Sequence, residues 1–185
     1  MSSQERENGP EIVPEVLPDA APPVTVRPEV PPSAEPVTEA ETVAEMEAIE
    51  VDAPRVGIIM GSKSDMDVMD AAAKVLREAE VHHEVRVMSA HREPDVVADY
   101  CANARLRGLR VIIAGAGLSA ALPGVAAAHT DLPVIGVPLS SRLSAMGGLD
   151  AILSVTQMPP GVPVAGVGLD NAKNAGHLAL RILGC

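Results

Sequence analysis

From residue 55 onward, short runs of β-branched and other apolar residues alternate with stretches whose apolar residues recur at helical spacing. Strands are predicted at residues 56–60, 84–88, 111–114, 132–139 and 162–168, and a helical pattern follows each of them. Most of these strands are apolar on both faces, which is typical of a parallel sheet covered by helices on both sides. Right-handed crossovers leave few topologies for such a sheet. We therefore expect a three-layer α/β/α fold with a doubly wound, five-stranded, flavodoxin-like parallel sheet.

Residues 1–53 differ in composition from the rest of the chain. They contain nine of the 17 prolines, 13 Asp or Glu residues and only two Arg. The net charge of −11 belongs to this segment, because residues 54–185 carry 12 basic and 12 acidic side chains. A segment of this composition cannot bury enough apolar surface to offset the entropy of ordering it. We therefore predict a disordered acidic tail at residues 1–53 and one folded domain at residues 54–185.

The sequence argues against several classes of protein. The N-terminus lacks the basic start and unbroken apolar core of a signal peptide, and it is too acidic for a transit peptide. The apolar runs are too short to cross a membrane. The neutral domain lacks the basic, aromatic-bearing face of a nucleic-acid binder. Cys101 and Cys185 form no CxxC motif and have no His cluster beside them, so we expect free thiols and a cytoplasmic protein.

Polar or glycine-rich turns follow the predicted strands, and the carboxyl ends of strands are where open α/β sheets bind ligands. The first turn, residues 61–65, reads Gly-Ser-Lys-Ser-Asp and links the first strand to a helix. Its hydroxyls, carboxylate and backbone donors suit a ribose and its phosphate, because a helix N-terminus carries partial positive charge. The alternative is that Ser64 or Asp65 simply caps the helix. The spacing is not that of a Walker A loop.

His91 and Arg92 follow the second predicted strand. An imidazole can exchange protons near neutral pH, and Arg can hold a phosphate with paired donors. The alternative is a solvated or helix-capping His. Residues 115–117, Gly-Ala-Gly, follow the third strand and either let a flat ring approach the backbone or allow tight packing. Ala120 stands where a dinucleotide-binding fingerprint has its third glycine.

Six motifs together resemble one family in their order and spacing, over about residues 56–183. They are Gly61-Ser-Lys-Ser-Asp65, Ser89-Ala-His-Arg92 with Pro94-Asp95, Ala114-Gly-Ala-Gly117, Leu122-Pro-Gly124, Pro133-Val-Ile-Gly-Val-Pro138 and Gln157-Met-Pro-Pro-Gly161. The family is that of the class I 5-(carboxyamino)imidazole ribonucleotide mutases of purine biosynthesis, the PurE family. The resemblance implies a homo-octamer with active sites at subunit contacts. It implies no metal, nucleotide cofactor or ATP.

The resemblance also implies a reaction on a ribonucleotide. The carboxylate of the substrate moves from the exocyclic nitrogen to a ring carbon, which gives 4-carboxy-5-aminoimidazole ribonucleotide on the route to IMP. Carbon dioxide is the trapped intermediate, and His91 shuttles the proton. The implied substrate-binding residues are Ser62, Ser64, Asp65, Ser89, Arg92, Gly115, Ala116, Gly117 and Leu122.

The resemblance gives these residues separate roles. Ser62 and Asp65 are expected to hold the ribose phosphate end together with Arg92, while Ser64 and Ser89 line the same turn. The backbone of residues 115–117 is expected to meet the imidazole ring, and Leu122 to cover it.

The sequence departs from the family pattern at residues 118–121, where Leu-Ser-Ala-Ala stands in place of Gly-Ala-Ala-His. Three alternatives stay open. A class II carboxylase would add free carbon dioxide to the uncarboxylated ribonucleotide, although that branch has Lys after the His and Ala-Gly-Arg-Ser-Asn after the third strand. A paralogue would act on a related nucleotide. A noncatalytic nucleotide-binding scaffold would recruit partners through its acidic tail.

Overall fold

The structure is a computed structural model that describes residues 53–185. The predicted acidic tail lies outside the described residues, except for Ala53. No helix within residues 53–185 has the length and apolar character needed to cross a bilayer. Both cysteines are free thiols, with Cys101 buried and Cys185 exposed.

One sheet of five parallel strands forms the middle layer. The strands are β1 (Val56–Met60), β2 (His83–Val87), β3 (Val111–Gly117), β4 (Val134–Leu139) and β5 (Ala165–Gly166). Their order across the sheet is β2-β1-β3-β4-β5, and every neighbouring pair is parallel. The predicted flavodoxin-like topology is confirmed. The strand order switches between β1 and β3, so a ligand crevice is expected at the carboxyl ends of these two strands.

Within residues 53–185, five α-helices cover the two faces of the sheet. They are α1 (Met66–Glu78), α2 (Pro94–Ala102), α3 (Leu122–Ala128), α4 (Leu149–Thr156) and α5 (Ala172–Leu183). Helices α1 and α5 bury residues such as Met69 and Ala175 on one face, while α2, α3 and α4 bury residues such as Val97 and Val155 on the other. The three layers are confirmed. Because Tyr100 is the only aromatic residue of the chain, the core is aliphatic, and each fully buried Val, Leu, Ile or Met contributes about 1.5–3 kcal/mol.

Three strands have different lengths from those predicted, and one of them, β4, begins at Val134 rather than at residue 132. Strand β3 continues through residues 115–117 because these residues pair in register with residues 137–139 of β4. The fifth strand has only Ala165 and Gly166, both exposed, where residues 162–168 were predicted. Pro163 lacks the N–H that a ladder needs, which shortens this strand at its start. The expectation of two apolar, covered faces therefore fails at the edges of the sheet, where Val87 of β2 is also exposed.

Glu84 of β2 ties the strand to α2 and to the 3₁₀-helix Arg105–Arg107 that follows it. Its Oε1 accepts hydrogen bonds from Arg107 and from the Tyr100 hydroxyl at 2.9 Å, and its Oε2 accepts two from Arg86, at 3.1 and 3.2 Å. The Arg107 guanidinium also lies 4.3 Å from the centroid of the Tyr100 ring. Burial alone would raise the pKa of Glu84, but these hydrogen bonds outweigh burial and lower it.

We expect Glu84→Gln to lower the free energy of unfolding at neutral pH by about 1–3 kcal/mol, because Arg107 and Arg86 lose a charged acceptor. The folded-state pKa of Glu84 is lowered, so its contribution is complete above the ordinary value of 4.5 and is lost as pH falls through the folded-state pKa. The difference between variant and wild type should therefore shrink as the pH is lowered through that range. Urea unfolding at a series of pH values measures it.

Glu78→Gln is the matched control for this prediction. Glu78 forms an exposed ion pair with Lys74 at 4.0 Å on α1. Exposed pairs contribute about 0–1 kcal/mol, so this variant should unfold much like the wild type at every pH. An equal loss of stability in both variants would contradict the role assigned to the Glu84 network.

Candidate functional site

The turn after β1 forms one wall of a cavity at the carboxyl edge of the sheet. Ser62 precedes the 3₁₀-helix Lys63–Asp65, and its hydroxyl accepts hydrogen bonds from the Ser64 N–H at 3.3 Å and the Ser64 hydroxyl at 2.9 Å. The Asp65 carboxylate accepts the Ser62 N–H at 3.1 Å, which completes a capping box. This capping box belongs to the 3₁₀-helix, with Ser62 as its N-cap. Asp65 is the N-cap residue of α1, but its side chain makes no capping hydrogen bond to that helix. The proton of the Ser62 hydroxyl is left for a ligand.

Asp65 is the carboxylate of this wall. Burial raises its pKa above the ordinary range, and the hydrogen bonds from Ser64 and from the Ser62 N–H, with the charge of Arg92, oppose this only in part. The hydrogen bonds and the charge of Arg92 therefore offset only part of the cost of burying the charged carboxylate of Asp65. A ligand group that donates a hydrogen bond to Asp65 would stabilise the carboxylate.

The turn after β2 places an imidazole and a cation beside that wall. Nη2 of Arg92 donates to the Gly61 carbonyl at 2.6 Å, which brings the guanidinium across the exit of β1. The His91 side chain is exposed, and within residues 53–185 it has no hydrogen-bond or ion-pair partner. The N-cap of α2 is Glu93, so the helix-capping alternative for His91 is wrong. Both side chains can therefore meet a ligand.

The end of β3 and the start of α3 supply the apolar part of the cavity wall, through Ala116, Gly117 and Leu122. Contrary to the prediction, Gly115 does not line the cavity. A Cβ at Gly115 would lie 2.4 Å from the Met69 sulfur, so this residue faces α1 on the other side of the sheet. Gly115 lies inside the sheet, paired with Met60 of β1 and Val137 of β4, whereas Gly117 is the last residue of β3 and lines the cavity.

Leu118 stands at the cavity with an unusual backbone conformation. Its φ of +55° lies in the left-handed region, which costs an L-residue with a Cβ about 1–2 kcal/mol. Its side chain is 41% exposed and lines the cavity. The residue that replaces a glycine of the family pattern is thus held in a conformation that favours glycine.

We expect Leu118→Gly to raise the free energy of unfolding by up to about 1 kcal/mol, because glycine adopts this φ without the steric cost of a Cβ. The side chain is partly exposed, so the packing lost is small. Glu80→Gly is the matched control, because Glu80 has the same φ of +55° on the surface after α1. Urea unfolding measures both changes. A destabilised Leu118→Gly beside a stabilised Glu80→Gly would show that packing of Leu118 against the cavity outweighs its strain.

The loop after β4 forms a further wall, which sequence reasoning missed. Ser140, Ser141 and Leu143 of this loop line the cavity, next to Leu139 at the end of β4. Ser140 is held by the Asp170 carboxylate, which accepts its N–H at 2.8 Å and its hydroxyl at 2.6 Å. The sequence indicates this wall only through the position of its residues, which directly follow a buried strand at the same sheet edge as the other turns.

Four strand exits enclose a cavity of about 440 Å³, a volume that suits a small molecule. The predicted site residues that line it are Ser62, Ser64, Asp65, Ser89, His91, Arg92, Ala116, Gly117 and Leu122. In the described part of the chain, no cluster of three or more His, Cys, Asp or Glu residues has the arrangement of a metal site. The cavity combines donors for an anion, an imidazole that can exchange protons, and an apolar surface for a flat ring.

Proteins of known function resemble this chain over most of its length. The family model of AIR carboxylase matches residues 55–185. The chain is 58% identical over 135 residues to the N5-carboxyaminoimidazole ribonucleotide mutase of Pyrococcus abyssi, which covers 73% of this chain and 76% of that protein. It is 56% identical over 133 residues to the mutase of the same name from Mycobacterium tuberculosis, covering 72% and 75% of the two chains.

Two further similarities extend this comparison. The phosphoribosylaminoimidazole carboxylase of Candida glabrata is 52% identical over 139 residues, which cover 75% of this chain and 24% of that protein. The crystal structure of Treponema denticola PurE superposes with a TM-score of 0.63 at 32% identity, covering 71% of this chain and 80% of that chain.

Proposed function

The chain belongs to the AIR carboxylase family, and from this premise we propose that it is an N5-carboxyaminoimidazole ribonucleotide mutase of purine biosynthesis. It isomerises its substrate by moving the carboxylate from the exocyclic nitrogen to a ring carbon, which yields 4-carboxy-5-aminoimidazole ribonucleotide. The observation that carries the proposal is the cavity that joins the exits of β1, β2, β3 and β4 in a chain 58% identical to a protein of that name.

Arg92 and Ser62 hold the phosphate of the ribonucleotide. The guanidinium gives one donor to the Gly61 carbonyl and keeps others for phosphate oxygens, while the Ser62 hydroxyl retains its proton. Asp65 has no proton to donate and repels a phosphate, so it accepts from a ribose hydroxyl instead. That contact compensates the burial that raises its pKa. Ser64 and Ser89 complete this end of the cavity.

His91 carries the proton between nitrogen and carbon. The C–N bond of the carbamate breaks, carbon dioxide leaves, and the nitrogen takes up a proton from the imidazole. The carbon dioxide then forms a C–C bond with the ring carbon, which returns its proton to the imidazole, so that charge and protons balance. Holding the gas beside the ring makes the second step intramolecular, which contributes roughly 7–11 kcal/mol. Ala116, Gly117 and Leu122 hold the ring during both steps.

Exposed apolar side chains of the loop after β4 and of α4 support assembly into a homo-octamer with active sites at subunit contacts. Leu143, which lines the cavity, and Met146 of the same loop are 81% and 84% exposed, and Leu153 of α4 is 46% exposed. Exposed apolar surface is typical of interaction sites. A second copy packed on Leu143 would keep water away from the trapped carbon dioxide.

We also propose a cytoplasmic location and a two-part chain. The free thiols of residues 53–185 fit a reducing compartment. A match to the family model that begins at residue 55 supports a catalytic domain at residues 54–185, preceded by an acidic segment at residues 1–53.

The nearest alternative is a carboxylase that acts on the uncarboxylated ribonucleotide, which the similarity to the Candida glabrata carboxylase favours. An assay of the purified full-length protein separates the two. It is given each carboxylated isomer and, separately, the uncarboxylated ribonucleotide with bicarbonate. We expect interconversion of the isomers without bicarbonate. Product formed only from the uncarboxylated ribonucleotide would favour the carboxylase, and turnover of none of the three would contradict both activities.

A further inference from the structure

Asp170, just after β5, reaches back to the residue that follows β4. Ser140 donates its N–H to Oδ1 of Asp170 at 2.8 Å and its hydroxyl to Oδ2 at 2.6 Å. The N–H of Asp170 donates to the Pro138 carbonyl at 2.9 Å, which anchors the pair to β4. Asp170 has a φ of +54°, in the left-handed region that Asp and Asn tolerate better than other residues with a Cβ. This contact joins two residues separated by 30 positions in the chain.

These bonds set the direction of the Ser140 hydroxyl. A hydroxyl has one proton and two acceptor lone pairs, whereas a carboxylate only accepts, so the proton of Ser140 is committed to Asp170. Ser140 lines the cavity, and toward the cavity it can only accept a hydrogen bond. Its bond to a charged acceptor also polarises the hydroxyl oxygen and strengthens it as an acceptor.

The β1 end of the cavity has donors for a ligand. The Ser62 hydroxyl accepts from Ser64 and keeps its own proton, and the Arg92 guanidinium has only donors. Strand β4 lies two positions from β1 in the sheet, so the two ends are roughly 10 Å apart along the edge. The cavity therefore presents donors to a phosphate at one end and a polarised acceptor at the other.

We propose that Ser140 is a specificity-determining residue, which recognises an amino or hydroxyl donor at the end of the ligand remote from its phosphate. Asp170 is the positioning residue that orients it. The inference rests on the proposed function to the extent that the ligand is a ribonucleotide. An analogue that placed a carbonyl oxygen against Ser140 would bring two acceptors together and would be rejected.

Asp170→Asn tests the direction of this hydrogen bond while keeping the contact. The Asn oxygen accepts the Ser140 N–H, and its NH₂ group then donates to the hydroxyl, whose proton turns toward the cavity. Asn tolerates the left-handed backbone, so the melting temperature should change little. We expect KM for the ribonucleotide to rise about 10-fold with a smaller change in kcat.

Ser140→Ala removes the acceptor and should raise KM by a similar factor. Because both variants act on one hydrogen bond, adding Asp170→Asn to Ser140→Ala should change KM by less than about twofold. Full additivity of the two effects would overturn the proposal. If Asp170→Asn fails to fold, Ser140→Ala carries the test alone with the binding probes described next.

Binding to the full-length protein gives a readout that does not depend on turnover. The probes are inorganic phosphate, ribose 5-phosphate and the uncarboxylated aminoimidazole ribonucleotide, measured by calorimetry. Weaker binding of ribose 5-phosphate by the variants would support a ribose hydroxyl as the donor, and a loss confined to the ribonucleotide would support an amine of the base. Equal losses for all three probes, inorganic phosphate included, would overturn the proposal, as would unchanged binding of all three.

Asp150→Asn is the matched control. The Asp150 carboxylate holds the same loop, but it accepts only backbone N–H groups, from Ala145 at 2.9 Å and from Ala151. This variant should bind all three probes like the wild type, and a matching loss would overturn the proposal by showing a general loosening of the loop. The wild type could fail to interconvert the isomers while Asp170→Asn still selectively weakens the binding of ribose 5-phosphate. That result would contradict the proposed function and support recognition by Ser140.

Discussion

We expect His91→Asn to abolish interconversion of the two carboxylated ribonucleotides while leaving the fold intact. Asn keeps a polar side chain but cannot take up and release a proton near neutral pH. Loss of a positioned acid–base group lowers kcat by roughly 10²- to 10⁴-fold. The His91 ring is exposed and has no partner within residues 53–185, so folding does not depend on it. Values of kcat with either isomer, together with the melting temperature, measure both effects.

His82→Asn is the matched control for this substitution. His82 is exposed, precedes β2 at the amino end of the strand, and does not line the cavity. We expect wild-type kcat from this variant. Retained turnover in His91→Asn would contradict the proton-shuttle role. Deuterium uptake from solvent at the ring carbon gives a second readout, and it should stop in His91→Asn alone.

Replacing Arg92 with Ala should raise KM for the phosphorylated substrate roughly 100-fold with a smaller effect on kcat. Hydrogen bonds to charged groups contribute about 1.5–3 kcal/mol each, and this substitution removes every donor that the guanidinium offers to the phosphate. It also removes a positive charge that lowers the pKa of Asp65, so that pKa should rise further. Steady-state KM and competition by inorganic phosphate measure the effect.

Arg92→Lys and Arg77→Ala are the control variants for Arg92→Ala. Arg92→Lys keeps the charge but loses the planar fork, so its KM should lie between those of the wild type and Arg92→Ala. Arg77→Ala removes an exposed guanidinium on α1 that pairs with Asp70 at 3.2 Å, and it should leave KM unchanged. An unchanged KM in Arg92→Ala would show that the phosphate lies elsewhere.

The layers and the strand order followed from periodicity, because alternating buried strands and amphipathic helices pack in few ways. The boundaries of β3 and β5 did not follow from periodicity. Residues 115–117 have the weak strand propensity of glycine and alanine, and only their pairing with β4 extends the strand. Residues 162–168 are rich in valine, yet Pro163 and an exposed edge leave only two residues in the ladder.

The candidate site was predictable where it is built from strand exits. Ser62, His91 and Arg92 each follow a strand, and parallel strands bring their carboxyl ends to one edge. Gly115 was misplaced because its position inside β3, paired with both β1 and β4, has no signal in a glycine-rich sequence. The contact between Ser140 and Asp170 had no local signal, since it depends on β4 and β5 being neighbours.

Sequence alone determined the alternation of strands and helices, the layered sheet, and that the polar turns meet at one edge. These properties depend on the spacing of apolar residues, which is a local pattern. Only the tertiary structure decided that Leu118 lies at positive φ and that the hydroxyl of Ser140 points to Asp170. Backbone strain and hydrogen-bond direction depend on differences of a few tenths of an ångström between segments distant in the chain, and packing alone sets those distances.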